Sequence, residues 1–477
     1  MNYKPYLIVV IFLIFSVTIK AQVDFLKFDY VTVDNGLSSN NIRHIYKDKR
    51  GFMWFANQVG LDRYDGYRVH SYPFDQKNPD GLWGEATNSI VEDVEGNLWV
   101  STNQCVNKYV LKKDAFKHYF VNDTANFVKN IQLMTFLNDS LLWISHDKGI
   151  NVFNIRTEKI VKKYTNDPKN KRSIKINGLM GLVKDPRGDI WLSQWPSGLS
   201  KYNVETDDFT HYEHDPLDSN TIFKNAVFNI CPDDDNGVWV VSMYEDGIAR
   251  LDLKTHKFTN YNYKSIGLAE PVQGSRCSKD IEGNVWFCSF RKGVIKYDRR
   301  TKKFSNYRRE IGVAGTLSEN LIGSIFSDKE GNLWLGTINN GVNYTNILEN
   351  KSTLYSFSHF KNTNDFYVNS YCRDINKNVW IATTKGLLFF DIKKLAFKPI
   401  DLPSAYSSEI YTHIKPISKD EIMLKSVNIQ IALNIYTFKT RELTEKEKKI
   451  WEENFTIFDE KGNIYVNKYN KIYAFKG

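Results

Sequence analysis

The chain has 477 residues and a formal net charge of +9, with Lys and Arg dispersed among the acidic residues. That length exceeds one ordinary domain, so two domains or a large repeat architecture are expected. A positive surplus favours acidic partners such as uronic or sulfated sugars. Its dispersal argues instead for an ordinary solvated surface, and the Lys-rich run at Glu445–Lys449 is balanced by glutamates, so no nucleic-acid partner is implied.

The N-terminus carries Lys4, an apolar stretch from Leu7 to Ile19, then Lys20 and Ala21 ahead of the polar Gln22. This is the layout of a signal peptide, residues 1–21, cleaved after Ala21. The apolar run is shorter than the ~20 residues that a bilayer span needs, and no Cys follows it to carry a lipid anchor. No later segment is apolar enough to span a membrane, so the mature chain is expected to have no membrane span and a periplasmic location. Cys105, Cys231, Cys277, Cys288 and Cys372 show no CxxC and no paired spacing, against a disulfide framework or a zinc site. They read as buried small residues, with a Cys277–Cys288 bridge across adjacent strands as the alternative.

Self-similarity dominates the rest. Trp54, Trp99, Trp143, Trp191, Trp239, Trp286, Trp334 and Trp380 recur every forty-odd residues, and Met423 and Tyr465 continue the series. A turn precedes the tryptophan: Asp48 to Gly51, Asp93 to Gly96, Asp185 to Gly188, Asp280 to Gly283, Asp328 to Gly331 and Asp459 to Gly462. The third, fifth, eighth and ninth repeats depart from it, with Asn236 and Lys377 where Gly would stand. Downstream come a Gly-aliphatic pair with an aromatic, as in Gly60-Leu61 with Tyr64 or Gly198-Leu199 with Tyr202, and then a Phe-x-x-Tyr strand such as Phe209 with Tyr212. Four short strands per repeat, with Gly, Asp and Asn turns and no helical period between them, describe a β-propeller blade. We label the strands a to d, with the tryptophan on b. The tryptophans are expected to fill the space between neighbouring sheets. The Asp and Gly of the turn are explained by local backbone chemistry, not by catalysis.

Seven repeats run from Trp54 to Trp334. The segment Phe25 to Val31 has d-strand character and is expected to complete the seventh blade, closing the ring. Leu354 to Phe360 repeats that pattern, as though a second ring began there, with about three repeats left. The expected fold is therefore all-β: a seven-bladed β-propeller of four-stranded blades over residues 22–350, followed by a partial second propeller over 351–477. A single ten-bladed ring is the alternative.

Gly36-Leu37-Ser38-Ser39-Asn40-Asn41-Ile42, Asp48 to Trp54 and Gly60 to Gly66, repeated closely by Leu317 to Asn320 and Asp328 to Thr337, resemble the two-component-regulator propeller repeat. The resemblance runs from about residue 25 onward. It implies the periplasmic sensor region of a hybrid two-component system that detects an oligosaccharide released from a polysaccharide. It also implies a longer parent with two propellers, a β-sandwich, a membrane helix, a kinase, a receiver and a DNA-binding domain, and a homodimer of that parent. No kinase, receiver or DNA-binding segment can be assigned here, and the chain reads as a truncated form. No cofactor or metal is expected.

Strand counting puts the b–c and d–a loops on one face and the a–b and c–d turns on the other. The d–a connections are long and varied, so the first face is the expected binding face, near the central channel. Trp83 in a d–a connection and Trp195 in a b–c loop stand outside the tryptophan column and suit sugar stacking. Trp451 lies in a charged, helix-like insertion. The polar candidates on the same face are Gln104, His146, Gln194, Tyr244, Glu245, Arg291 and Asn339. Taken singly, each is more often a solvated loop residue, and Trp83 and Trp195 have rim packing as their alternative. A propeller lyase or glycosidase is the rival class, since Asp-x-x-Gly-x-x-Trp superficially resembles the sialidase Asp box. That spacing differs by one residue, and no catalytic carboxylate pair stands out, so no enzymatic activity is expected. An exported protein-binding scaffold is the third reading.

Overall fold

The computed structural model describes residues 22–475 except 122, 124–129, 243–246, 269–272, 312, 314, 350–351, 356–366, 394–395, 446, 449–454, 459–463 and 469–470. The expected signal peptide, Trp451, the Asp459 turn and most of Leu354–Phe360 lie outside the described residues. The chain is all-β, with nine four-stranded antiparallel sheets, and it divides into two compact units.

The unit Phe25–Ser352 holds seven of the nine sheets. Each is a meander in strand order a-b-c-d, as in the fourth: Gly181–Lys184, Ile190–Gln194, Gly198–Asn203 and Asp208–Tyr212. The seventh takes its d strand from the other end of the unit: Asp29–Val31 pairs with Val342–Asn346, Asp29 opposite Tyr344 and Val31 opposite Val342. Strand a of each sheet packs against strand a of the next, from Ile42–Lys47 in the first round to Ile322–Ser327 in the seventh and back to the first. At that junction Ser324 Oγ donates to Ile42 O at 3.2 Å, Lys47 Nζ pairs with Asp328 at 2.9 Å, and Trp334 packs its ring on Phe55 and Tyr64.

Burial follows from this stacking. Strand b lies between two neighbouring sheets, so both of its faces are covered: every residue of Leu98–Thr102 and of Ile190–Gln194 is buried. Strand d sits at the rim and keeps the alternation of a half-covered strand, as in Lys159–Tyr164. The column tryptophans of the first six repeats are at most 1% exposed. Trp54, Trp99, Trp143 and Trp239 stand among aromatics of their own and the next sheet, as Trp143 does with Tyr164 and Tyr202.

The Asp of the turn has two tasks. Asp185 Oδ1 accepts the amides of Arg187 and Asp189, fixing the turn, while Oδ2 accepts the indole Nε1–H of Trp191 at 3.0 Å. Asp48, Asp93, Asp280 and Asp374 hold their tryptophans in the same way. In the third repeat Leu137 stands where that Asp would be, and Trp143 Nε1 is buried without a partner among the described residues. In the departing turns Asn236 and Lys377 keep the left-handed backbone of the glycines they replace, at φ 58° and 68°. All five cysteines are free. Cys277 faces Phe287 in register and Cys288 faces Val294, so the alternative of a Cys277–Cys288 bridge is not realised.

The second unit contains two more four-stranded sheets, beginning with strands Val368–Arg373 and His413–Pro416, and a three-stranded sheet over Phe455–Phe475. Its core gathers Trp380, Tyr411, Ile414 and Leu433. Among the described residues no helix is long and apolar enough to cross a membrane.

Candidate functional site

A cavity of about 410 Å³ lies where the seven a strands of the larger unit converge, and every one of the seven sheets contributes to its lining. The contributions come from the starts of a strands and from the b–c and d–a loops. The cavity thus belongs to the face on which the varied loops gather.

Its polar residues are Arg43, Asn88, Asn103, Asn130, Gln132 and Arg276, and its aromatic residues are Phe228 and Phe290. Arg43, Asn88, Gln132, Met180 and Phe228 each stand eleven residues before the tryptophan of their own repeat. A β-bulge puts several of them there. The a–b pairing skips a residue between Ile42 and His44, between Thr87 and Ser89, and between Val227 and Asn229, leaving Arg43, Asn88 and Phe228 as the extra residues. In the sixth sheet the skip falls between Gly274 and Cys277 and frees Ser275 and Arg276. A bulge re-aims its extra side chain away from the ladder, here toward the axis.

The lining is tied together across sheets. Arg43 Nη1 donates to Asn88 Oδ1 at 3.0 Å, and Asn88 Nδ2 donates to Ile131 O at 2.9 Å, linking the first three sheets. Arg276 Nη1 reaches from the sixth sheet to Met180 O before the fourth, at 3.4 Å. Phe228 and Phe290 meet edge to face, 6.2 Å between ring centres at 75°. Asn103 Oδ1 is buried without a hydrogen-bond partner among the described residues, as is Nδ1 of His44, the neighbour of Arg43. Burial, followed by the charge of Arg276, pushes the His44 pKa down to about 4, so the ring is neutral near pH 7.

None of the described residues singled out from sequence lines this cavity. Gln104, Arg291 and Asn339 are the immediate neighbours of Asn103, Phe290 and Ile338, which do line it. Gln104 and Arg291 are exposed in their b–c loops, and Asn339 is held by Glu319 through its amide N–H at 2.6 Å and its side chain at 3.1 Å. Gln194 is fully buried, donating to Ile176 O and accepting from Ser200 Oγ. His146 is buried at the end of its b strand, its pKa lowered chiefly by that burial, with Nδ1 accepting from the Lys148 amide. Trp83 packs on Phe74 and His118, while its carbonyl accepts from Thr102 Oγ1 and Asn107 Nδ2. Trp195 is 39% exposed at the position that Asn103, Phe290 and Ile338 take in their own repeats. Tyr244 and Glu245 lie outside the described residues.

Two sequence signals point to the cavity. One is the position eleven residues before the tryptophan, which changes from Arg to Asn, Gln, Met, Phe, Ser and Gly along the seven repeats. The other is the next position, which carries Ser89, Gly181, Asn229 and Ser324 but His44 in the first repeat, Leu133 in the third and Arg276 in the sixth. Ser89, Asn229 and Ser324 there bond across to the neighbouring sheet. The charge of Arg276 stands out in a column whose other members are uncharged near pH 7, and a break in a local rule is where function is expected.

This geometry is that of a propeller-like repeat protein with an axial cavity on its loop-rich face. The family model described as "Two component regulator propeller" matches residues 36–58 and 316–339, so the chain carries repeats of that family. No curated protein matches the chain in sequence. In fold it is similar to the extracellular domain of a hybrid two component system from B. thetaiotaomicron, with a TM-score of 0.60 at 18% identity. That match covers 93% of this chain and 64% of the other, so the chain spans about two thirds of that relative's length. A second hybrid two component system of B. thetaiotaomicron matches with a TM-score of 0.55 at 15% identity, over 95% of this chain and 66% of that one. Virginiamycin B lyase from Staphylococcus aureus matches with a TM-score of 0.51 at 14% identity, over 68% of this chain and all of the lyase.

Proposed function

We propose that the chain is the periplasmic ligand-sensing region of a hybrid two-component regulator and that it recognises an oligosaccharide from polysaccharide breakdown in the axial cavity of its larger unit. In this reading Phe25–Ser352 is a complete seven-bladed ring, supported by the round of a-strand contacts and by the N-terminal d strand of the seventh sheet. The second unit is the beginning of another ring. The observation that carries the ligand class is the composition of the cavity. Carboxamides from the second and third sheets converge with two phenylalanines, pairing hydrogen-bonding groups for hydroxyls with apolar faces for the C–H surface of a sugar.

The lyase likeness raises the enzyme reading, but it is a likeness of fold alone, and fold does not carry function. Among the described residues no carboxylate lines the cavity, whereas glycoside hydrolysis needs a placed pair. Calorimetric titration of the full chain with an oligosaccharide panel tests the proposal. Binding to one class is expected, weakened at least tenfold by Phe228→Ala together with Asn88→Ala, with no change in the size of the sugar after incubation. Turnover of the sugar would overturn the sensor reading, and unchanged affinity in the double variant would move the site elsewhere, Trp195 being the next surface to test.

A further inference from the structure

Among the described residues, the two guanidiniums in the axial cavity have no acid paired with them. Arg43 meets the carboxamide of Asn88 and Arg276 meets the carbonyl of Met180, both uncharged. Neither arginine takes part in an ion pair among the described residues, and no carboxylate lines the cavity there. Arg50, Arg187, Arg250 and Arg299 are each matched to an aspartate within the turns of the opposite face. Lysines do the same at sheet junctions, Lys47 with Asp328 and Lys279 with Asp234.

Cations taken partly out of water without a counter-charge are costly. Burial lowers the guanidinium pKa of both, and only the thiols of Cys277 and Cys288 oppose this at Arg276. His44, beside them, is neutral near pH 7 and supplies no compensating negative charge. Each of the two charges is delivered to the axis by a bulge, and Arg276 is the one guanidinium in its column of the seven repeats. A site built this way is complementary to an anion.

We infer that the axial cavity selects an oligosaccharide carrying a carboxylate or sulfate group, with Arg43 and Arg276 engaging the anion while Asn88, Asn103, Gln132 and the phenylalanines hold the rest of the sugar. This deepens the oligosaccharide reading and rests on it for the sugar part only. The planar fork of each guanidinium suits a carboxylate or sulfate with two parallel hydrogen bonds, and such charge-assisted bonds are about twice as strong as neutral ones.

The test uses the full chain, as wild type, Arg43→Gln, Arg276→Gln and Arg276→Lys. In the first arm, thermal stability is followed with sodium glucuronate or sulfate against chloride at equal ionic strength. Stabilisation of the wild type by either anion is expected, absent in Arg276→Gln and reduced in Arg276→Lys. In the second arm, calorimetry compares oligogalacturonates, chondroitin sulfate oligosaccharides and size-matched neutral oligosaccharides. The acidic probe that binds should do so at least tenfold more tightly than the neutral one, and each Gln variant should lose 10- to 100-fold. Because chondroitin sulfate carries both groups, it is the glucuronate and sulfate of the first arm that separate carboxylate from sulfate as the group recognised. If anions stabilise the chain but no oligosaccharide binds, the anion site stands and the sugar reading falls. If neutral sugars bind as tightly as acidic ones and the Gln variants match wild type, the sugar reading stands and this inference is overturned. If neither anion stabilises the chain and no acidic probe binds, the inference is also overturned.

Discussion

The position nine residues before each column tryptophan separates the two units of the molecule. In the Phe25–Ser352 unit it holds Ile45, Ile90, Met134, Leu182 and Ile230, none more than 6% exposed, and the half-buried Cys277 and Ile325, whereas in the first sheet of the other unit it holds Tyr371, 71% exposed. Three residues earlier, Ile42, Ile131 and Ile322 are fully buried, but Val368 is 47% exposed. The ninth sheet returns to the buried pattern with Tyr411 and Ile414, because the eighth sheet lies against its a strand. All these sheets have the same internal ladder, so what differs is the neighbour. A blade buries its apolar face only against another blade, and stability is shared between repeat and interface, as in other repeat proteins.

The largest expected effect sharpens that contrast. Ile90→Ala removes a side chain enclosed between two sheets and should cost about 2–5 kcal/mol, whereas Tyr371→Ala, in the equivalent position on an open face, should change stability by less than about 0.5 kcal/mol. Chemical denaturation of the full chain, followed by tryptophan fluorescence, reads both. Equal losses would mean that the exposed face of the eighth sheet is covered in solution. A second measurement asks whether the units unfold separately: Trp191→Ala should lower only the transition of the larger unit, by about 3–5 kcal/mol. A common shift of both transitions would break the comparison outright.

A smaller effect distinguishes the axis of the larger unit from its surface. The pKa of His44 is about 4 in the folded chain against 6.5 when free, so the unfolded state binds the proton first as pH falls. The folded state is then fully favoured above pH 6.5 and loses stability between 6.5 and 4, by about 2 kcal/mol at pH 5. Comparing the denaturant midpoints of wild type and His44→Gln at pH 7.5 and pH 5 isolates this contribution from that of the carboxylates. An identical pH dependence in the two proteins would show that the ring is solvated and that the axis is wetter than the geometry indicates.

Much of the blade was legible because its signals are local and repeated. The Asp-x-x-Gly turn fixed the a–b hairpins, and the d-strand character of the Phe25–Val31 segment foreshadowed the pairing of Asp29–Val31 with Val342–Asn346. The candidate site was legible only to within one residue. Gln104, Arg291 and Asn339 stand in loops, where binding residues concentrate, yet their neighbours Asn103, Phe290 and Ile338 line the cavity. All six lie in the bends and turns that follow strand b, where the path of the backbone and not the residue type decides which side chain faces the axis. The bulged residues escaped notice for a related reason. A bulge adds a residue to one strand only, and Arg43 and Asn88 look like ordinary strand residues until the register of their partners is known. Trp83 misled because an aromatic in a connection reads as a platform, while its partners Phe74 and His118 are brought to it only by the fold.

The smallest effect tests whether the turn or the interface limits the second unit. Lys377 occupies the place that glycine takes in Gly51, Gly96, Gly188, Gly283 and Gly331, and it shares their left-handed backbone at φ 68°. For a residue with a Cβ that conformation costs roughly 1–2 kcal/mol, which glycine avoids, although glycine has more freedom to lose on folding. The turn itself is otherwise intact: Asp374 accepts the Asn378 amide and the Trp380 indole, and the Lys377 amide donates to Asp374 O. Lys377→Gly should therefore stabilise the second unit by about 1 kcal/mol with no change in the larger one, read from the two denaturation transitions of the full chain. A gain of that size would mean that the second unit is limited in part by its own turn. No gain would place its weakness wholly in the uncovered face around Tyr371, since relieving strain inside a blade cannot substitute for a missing neighbour.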